Sequence, residues 1–361
     1  MEKINCSTPS RICLFGEHQD YLGLEVVASA INLRFKAEGA KNKEDIIRVH
    51  LSGESIDKVE EISLTEKITY RDNRDYIRSA INVLRRNGYP VEGYDIDMDS
   101  EIPIGKGMCS STTMTVVFIK MLLELANHPH KNDPEKIAML AFDAEVTEFK
   151  EPGGLMDHYS SAFGGLVHLT FDPDKTVVEP LDFKIPGSFI LFDSLQDKDT
   201  TKVLASAKYP VLDALESLKG EGITSVRDFI SNDENIKFLE CLEPLHRRKL
   251  EANIDNYKVL LEGIKLLQAD RFDEEAFGAL LKRHHANLRD GLEISTPIIE
   301  EILETAYANG ALGGKINGSG GGGCCYVYAK DEDCEDIVNA IEAKGYPAII
   351  LKQDTGVRCD S

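Results

Sequence analysis

Residues 317–323 read Asn-Gly-Ser-Gly-Gly-Gly-Gly and run directly into Cys324–Tyr328, an apolar stretch of β-favouring residues. A hairpin turn needs one or two glycines, and strand propensity explains none of them, because glycine loses more backbone freedom on ordering than any other residue. Such a run belongs to a loop whose backbone must approach something closely. Gly318, Gly320 and Gly323 formally satisfy GxGxxG, but the dinucleotide fingerprint requires a helix to follow, and a strand follows here. A Rossmann reading therefore fails. With no GxxxxGK[ST] in the chain, a Walker-type nucleotide site is excluded as well.

A second glycine cluster lies in Glu101–Thr113, EIPIGKGMCSSTT, directly before an apolar segment starting near Ser110. Gly105 and Gly107 permit close backbone approach, and the unpaired N–H groups of a first helical turn point outward with the positive end of the helix dipole behind them. Ser110 and Ser111 can donate hydroxyls to a phosphate or ligate a metal. This is an anion site by composition.

Periodicity predicts strands at Ile12–Phe15, Val26–Phe35, Ile46–Leu51 and Tyr94–Met98, with an amphipathic helix over about Asp75–Arg86. Helices are expected at Ser110–Ala126, Pro134–Glu148 and Met156–Phe163, followed by a strand at Gly165–Phe171. Beyond Leu195 the pattern predicts helices at Lys202–Leu218, Pro244–Leu267, Asp273–Asn287 and Asp333–Lys344. Strands are expected there at Gly314–Asn317, Cys324–Ala329 and Ala348–Lys352. Strands and helices that interleave without a βαβ beat indicate an α+β class. At 361 residues two domains are expected, and the softest boundary, Asp172–Pro186, divides 1–180 from 181–361.

Lys plus Arg number 41 against 62 Asp plus Glu, a formal charge of −21 that repels polyanions over a screening length of ~8 Å. Nucleic acid and anionic membranes are excluded as partners. The eight cysteines have no CxxC or zinc-like spacing and read as free thiols in a reducing compartment. Neither a signal peptide nor an apolar run of about 18 residues is evident, so a cytoplasmic location is expected. Asp95, Asp97 and Asp99 alternate like calcium ligands, but Lys106 stands where the bidentate Glu belongs, and a strand with a solvated face is the better reading. The pairs His128 with His130 and His284 with His285 read as surface helix residues.

The order of STPSRICLFGEHQDYLG, IPIGKGMCSS, EPGGLMDHYSSAFGG and KINGSGGGGC resembles the three motifs of the GHMP kinase superfamily together with the sugar signature of galactokinases. SAKYP at Ser206–Pro210 and HANLRDGLEISTP at His285–Pro297 are similar to further galactokinase segments. The resemblance implies a two-domain GHMP kinase fold, with a ribosomal protein S5 domain 2-like N-terminal domain and a ferredoxin-like C-terminal domain. It implies an ATP-dependent sugar kinase acting on the anomeric hydroxyl of galactose or a close relative, with Mg2+ as cofactor and a monomer or weak homodimer as the assembly. Mevalonate, arabinose or a uronic acid are the alternative substrates within the superfamily. A sugar- and ATP-binding sensor without turnover is the alternative outside catalysis.

By the same resemblance Asp157 stands beside the reacting hydroxyl and Arg11 is its cation. Glu17, His18, Asp20, Gly154 and Tyr209 contact the sugar. Gly105, Lys106, Gly107, Met108, Cys109, Ser110 and Ser111 cradle the ATP phosphates, and Gly318, Gly320, Gly321 and Gly322 close against the phosphate and sugar side. Ser111 and Glu145 hold the metal, with Glu148 as a rival on the same helical face. Galactokinases usually carry Thr and Asn where Gln19 and Leu22 stand, at the border of the sugar site, three serines where Cys109, Ser110 and Ser111 stand, and a small residue in place of Lys106.

Overall fold

The computed structural model describes residues 3–53, 56–103, 105–151, 153–171 and 175–360. Residues 172–174, at the start of the expected boundary segment, and residue 104 of the phosphate loop lie outside them.

The first half is built on strands β1 (Ile4–Phe15), β2 (Val26–Lys41), β3 (Ile46–Gly53) and β4 (Ile56–Ser63), then helix α1 (Tyr76–Arg86) and strand β5 (Tyr94–Ser100). Helices α2 (Ser110–Leu125), α3 (Pro134–Phe142) and α4 (Met156–Phe163) follow, with a π-helical turn at Asp143–Thr147 between the last two, and then β6 (Leu166–Phe171) and β7 (Thr176–Leu181). The sheet order is β4-β3-β5-β2-β1, with β6 and β7 continuing from the N-terminal half of β2. Strand β2 is long enough to serve two neighbours on one edge: Phe35–Lys41 pairs with β5 and Val26–Ser29 with β6. Asp95, Asp97 and Asp99 alternate outward with Tyr94, Ile96 and Met98 buried, as the pattern predicts.

The second half contains β8 (Ser188–Asp193), α5 (Thr200–Leu218), α6 (Arg227–Ser231), α7 (Pro244–Leu267), α8 (Glu274–Ala286) and α9 (Pro297–Ala308). After these come β9 (Gly313–Ile316), β10 (Cys324–Ala329), α10 (Cys334–Glu342) and β11 (Ala348–Leu351). Its antiparallel sheet has the order β11-β8-β10-β9. The last strand, β12 (Arg358–Asp360), crosses back and pairs with β1 in the first sheet. The class is α+β. Among the described residues, no helix is long and apolar enough to cross a membrane.

Strands β4, β7, β8 and β12 and helices α6 and α9 are absent from the expectations above. Helix α9 carries a signal that was available: Thr296 caps it by accepting from the Ile299 N–H, and Pro297 occupies the first turn. The expected single helix over Pro134–Glu148 ends at Phe142 and gives way to the π-turn, which shifts the direction of every later side chain.

The two halves share one apolar cluster. Phe15 of β1 meets Phe277 of α8 edge-on at 5.7 Å, and Gly263 of α7 faces the same ring, so close that an added Cβ would stand 2.4 Å from it. His284 and His285 are not on the surface, contrary to expectation. Both are buried, with His284 hydrogen-bonded to the Leu14 carbonyl, and His285 bridging Glu300 at 2.8 Å and the Ile316 N–H at 3.3 Å. Burial drives the His284 pKa far below its usual value, so it sits as a neutral crosslink between α8 and β1.

Gly323, at φ +74, is packed so that an added Cβ would meet the Lys106 carbonyl at 2.4 Å, whereas Gly222, at φ +79, has open space around it. Gly222→Ala therefore meets only the backbone penalty, about 1–2 kcal/mol. Gly323→Ala meets that penalty and a backbone clash, and urea unfolding should show the larger loss of stability for Gly323→Ala.

Candidate active site

The loop between β5 and α2 is held from behind through its carbonyls. Ser10 Oγ donates to Met108 O at 2.8 Å, Arg11 Nη1 and Asn317 Nδ2 both donate to Gly107 O at 3.2 Å, and the Cys324 N–H donates to Lys106 O at 2.8 Å. Cys109 enters α2 at φ +47 and supplies no side-chain cap, so the N–H groups at Ser110, Ser111 and Thr112 begin the helix without one. Gly105, Gly107, Cys109, Ser110 and Ser111 line a cavity of ≈ 630 Å³. Lys106 does not: its ammonium turns to Gln196 O at 3.3 Å and Asp197 Oδ1 at 3.4 Å. Met108 is buried behind the loop.

Of the glycine run, Gly318 and Ser319 reach the cavity wall. The expectation that Gly320, Gly321 and Gly322 also face it is corrected: added Cβ atoms there would strike Ile294, Val203 and Gln196 respectively. The close approach inferred from the glycines is to the protein itself. A Cβ on Gly318 would lie 2.6 Å from Gly107 O, so the two glycine turns pack backbone against backbone.

The turn after β1 supplies Glu17, His18, Asp20 and Tyr21 to the same cavity. Glu17 Oε2 accepts from Lys315 Nζ at 2.8 Å and from the Gly318 N–H at 3.0 Å, an ion pair with both partners buried. His18 sits at φ +64, with Nε2 donating to Ser319 O at 3.0 Å, so that Nδ1 accepts from Tyr21 Oη at 2.9 Å. Burial lowers its pKa to about 4, and it is neutral at pH 7. Asp20 lies against Gly154 so tightly that a Cβ at 154 would be 1.7 Å from Asp20 Oδ2, which explains the glycine. Burial first, and then the Asp157 charge, raise the Asp20 pKa to about 6. Gln19 turns away: its Nε2 donates to Asn253 O on α7 at 2.8 Å, and Leu22 packs against the core. Neither of these two departures from the galactokinase pattern lines the cavity.

At the floor, Arg11 Nε donates to Asp157 Oδ1 at 2.7 Å. Burial opposes the guanidinium charge most strongly, but Asp157, Cys109 and Glu17 together outweigh it and the Arg11 pKa stays raised. Glu145, on the π-turn, lines the cavity and accepts from His158 Nε2 at 2.9 Å. Glu148 does not share that face: it is bonded to Tyr70 Oη at 2.6 Å and Arg86 Nη2 at 2.8 Å. Tyr209 is also corrected. It stands on α5 at 54% exposure, outside the cavity wall. Phe35, Leu51, Tyr76 and Met114 form an apolar part of the wall, and Lys198 and Thr200 complete the side facing α5. Sequence reasoning missed Lys198, because a lysine between two aspartates reads as surface.

Comparison with known proteins adds three family matches. The model of the GHMP kinases N terminal domain matches residues 75–165, that of the GHMP kinases C terminal region residues 264–347, and the galactokinase galactose-binding signature residues 2–41. Galactokinase of Bacillus subtilis is 27% identical over 98% of this chain and 90% of its own length. Mevalonate kinase of Thermococcus gammatolerans is also 27% identical, over 99% of this chain and 98% of its own. The crystal structure of Lactococcus lactis galactokinase complexed with galactose superposes with a TM-score of 0.82 at 21% identity, covering 99% of this chain and 95% of that one. The fold is thus the two-domain α+β fold of these kinases.

Because Asp20 is harder to ionise in the folded chain, its protonated form contributes stability that is complete below about pH 4 and lost as pH rises through 6. Asp20→Asn should therefore stabilise the sugar-free protein at pH 7, by at most roughly 3 kcal/mol, and change little at pH 3.5. Calorimetric melting at the two pH values checks the sign.

Proposed function

The chain belongs to the GHMP kinase family and is an ATP-dependent phosphotransferase, and on that premise we propose that it phosphorylates the anomeric hydroxyl of a neutral monosaccharide, galactose or a close relative. The observation that carries this reading is the Arg11–Asp157 pair, at 2.7 Å, on a cavity wall shared with the phosphate-type loop and the sugar-type turn. The galactose-binding signature over residues 2–41 supports a sugar over mevalonate. So does Asp20, whose nearest hydrogen bond is the Tyr21 N–H at 2.9 Å: it carries no cation, repels an acidic substrate and accepts hydroxyl donors.

In this reading the N–H groups at Ser110, Ser111 and Thr112 receive the ATP phosphates, and the apolar wall of Phe35, Leu51 and Met114 receives the base. Asp157 accepts the proton of the attacking hydroxyl, and Arg11 keeps Asp157 ionised and aligned while it does so. Catalysis rests on alignment and charge neutralisation, as phosphoryl transfer requires.

Among the described residues no group of three or more His, Cys, Asp or Glu could hold a metal ion. A magnesium ion that takes most of its ligands from phosphates and water needs only one or two protein oxygens. The hydroxyl of Ser111 and the carboxylate of Glu145, both on the cavity wall, fit that demand, and His158 orients the carboxylate. Bound there, the ion would supply charge neutralisation at the β- and γ-phosphates.

Coupled ADP release over a panel of monosaccharides, with mevalonate included, tests the reading. Galactose or a neutral relative should be turned over, while sugar binding without ADP release would make the protein a sensor. Asp157→Asn should lower kcat by about 10²–10⁴-fold and leave MgATP affinity intact. Glu145→Gln should raise the magnesium concentration needed for nucleotide binding, measured by calorimetry, and Glu148→Gln should not.

A further inference from the structure

Lys198 lies in the connection between β8 and α5 and belongs to none of the sequence motifs. Its Nζ is cut off from solvent and has no hydrogen-bond partner among the described residues, although its side chain lines the cavity. The acids on either side of it do not serve it. Asp197 accepts from Lys106 at 3.4 Å, and Asp199 caps α5 by accepting from the Lys202 N–H at 3.0 Å. The other cations that line this wall are matched, Arg11 with Asp157 and Arg74 with Glu151, and Lys315, just behind the wall, is matched with Glu17. Among the described residues the Lys198 ammonium, shut off from solvent, is left without an anion. Burial lowers its pKa to about 8, which still leaves it mainly protonated at pH 7.

Position narrows the anion that would complete it. A methyl group on Gly107 would stand 2.6 Å from Lys198 Nζ, so the ammonium lies against the backbone of the phosphate loop, and Arg11 and Asp157 are near enough to act on its charge. The segment that carries it is anchored to both glycine turns: Lys106 Nζ and the Gly323 N–H donate to Gln196 O, and the Ser194 N–H donates to Gly323 O. A cation held this way lies beside the phosphate loop, on the wall that also carries Asp157. An acidic sugar is the weaker candidate for its partner, because the unpaired Asp20 carboxylate shares the cavity wall.

We propose that Lys198 is a catalytic residue that donates hydrogen bonds to the transferring phosphoryl group between the phosphate loop and the Arg11–Asp157 pair. The proposal rests on the kinase reading. In the step, the bond from the γ-phosphorus to the oxygen bridging it to the β-phosphate breaks, and its electron pair leaves with ADP. A bond from the sugar hydroxyl oxygen to that phosphorus forms, and the hydroxyl proton passes to Asp157. Lys198 remains protonated throughout and opposes the negative charge on the phosphoryl oxygens.

The test uses Lys198→Met and Lys198→Arg in the full chain, with MgADP and MgAMPPNP as nucleotide probes. Lys198→Met should lower kcat by about 10²–10³-fold with the sugar KM within a few-fold of wild type. It should weaken MgAMPPNP at least about tenfold while leaving MgADP unchanged, since the second nucleotide lacks the γ-group. Lys198→Arg should recover part of both. The melting temperature of ligand-free Lys198→Met should rise, because an unmatched buried charge is removed; a fall would assign Lys198 a structural role and overturn the proposal. An unchanged kcat, a loss confined to sugar KM, or an equal effect on both nucleotides would also overturn it. If wild-type protein turns over no sugar, the kinase reading fails on its own, and the ratio of the two nucleotide affinities still decides whether Lys198 meets a γ-phosphate.

Discussion

The active centre depends on two glycine turns meeting backbone to backbone. Gly107 and Gly318 approach so closely that a Cβ on either would collide with the other's loop, and the Cys324 N–H closes the contact on Lys106 O. One turn precedes a helix of the first half, and the other precedes a strand of the second. Their contact places helix N–H groups, the Arg11–Asp157 pair and the Glu17–Lys315 pair around one cavity. A side chain at these positions would push the halves apart by the width of a methyl group, and alignment on that scale is what phosphoryl transfer depends on.

Charge in the cavity is arranged against the charge of the whole. The chain carries a formal −21, yet Arg11, Lys198 and Lys315 stand individually placed at or just behind the cavity wall. Arg11 and Lys315 are neutralised by carboxylates that face the cavity, whereas Asp20 and Lys198 are left with their charge unmatched. An unmatched buried charge raises the free energy of the ligand-free protein, and a substrate that supplies the missing partner recovers it on binding. Asp20 suits hydroxyl donors and Lys198 suits an anion, which is the pair of chemical groups a sugar and a nucleotide triphosphate bring.

Several side chains read correctly as to type turned out to point elsewhere. Lys106, in the phosphate loop by sequence, is bound to Gln196 and Asp197, and Gln19, within the sugar-type turn, is bound to α7. Glu145 and Glu148 share a face on a regular α-helix, but the π-turn sends the first into the cavity and the second to Arg86. Tyr209 lies on the solvent side of α5.

Residue order alone carried the α+β class and the helix that opens at Ser110, because caps, periodicity and glycine clusters are local signals, and through its resemblance to the GHMP kinases it also carried the family and the candidates Arg11, Ser111, Glu145 and Asp157. The tertiary structure decided which of the glycines face the cavity, that His284 and His285 are internal, and that the Lys198 ammonium is shut off from solvent without a partner among the described residues. Those facts depend on which distant surfaces come together, and a side chain's partner is set by that packing rather than by its neighbours in the chain.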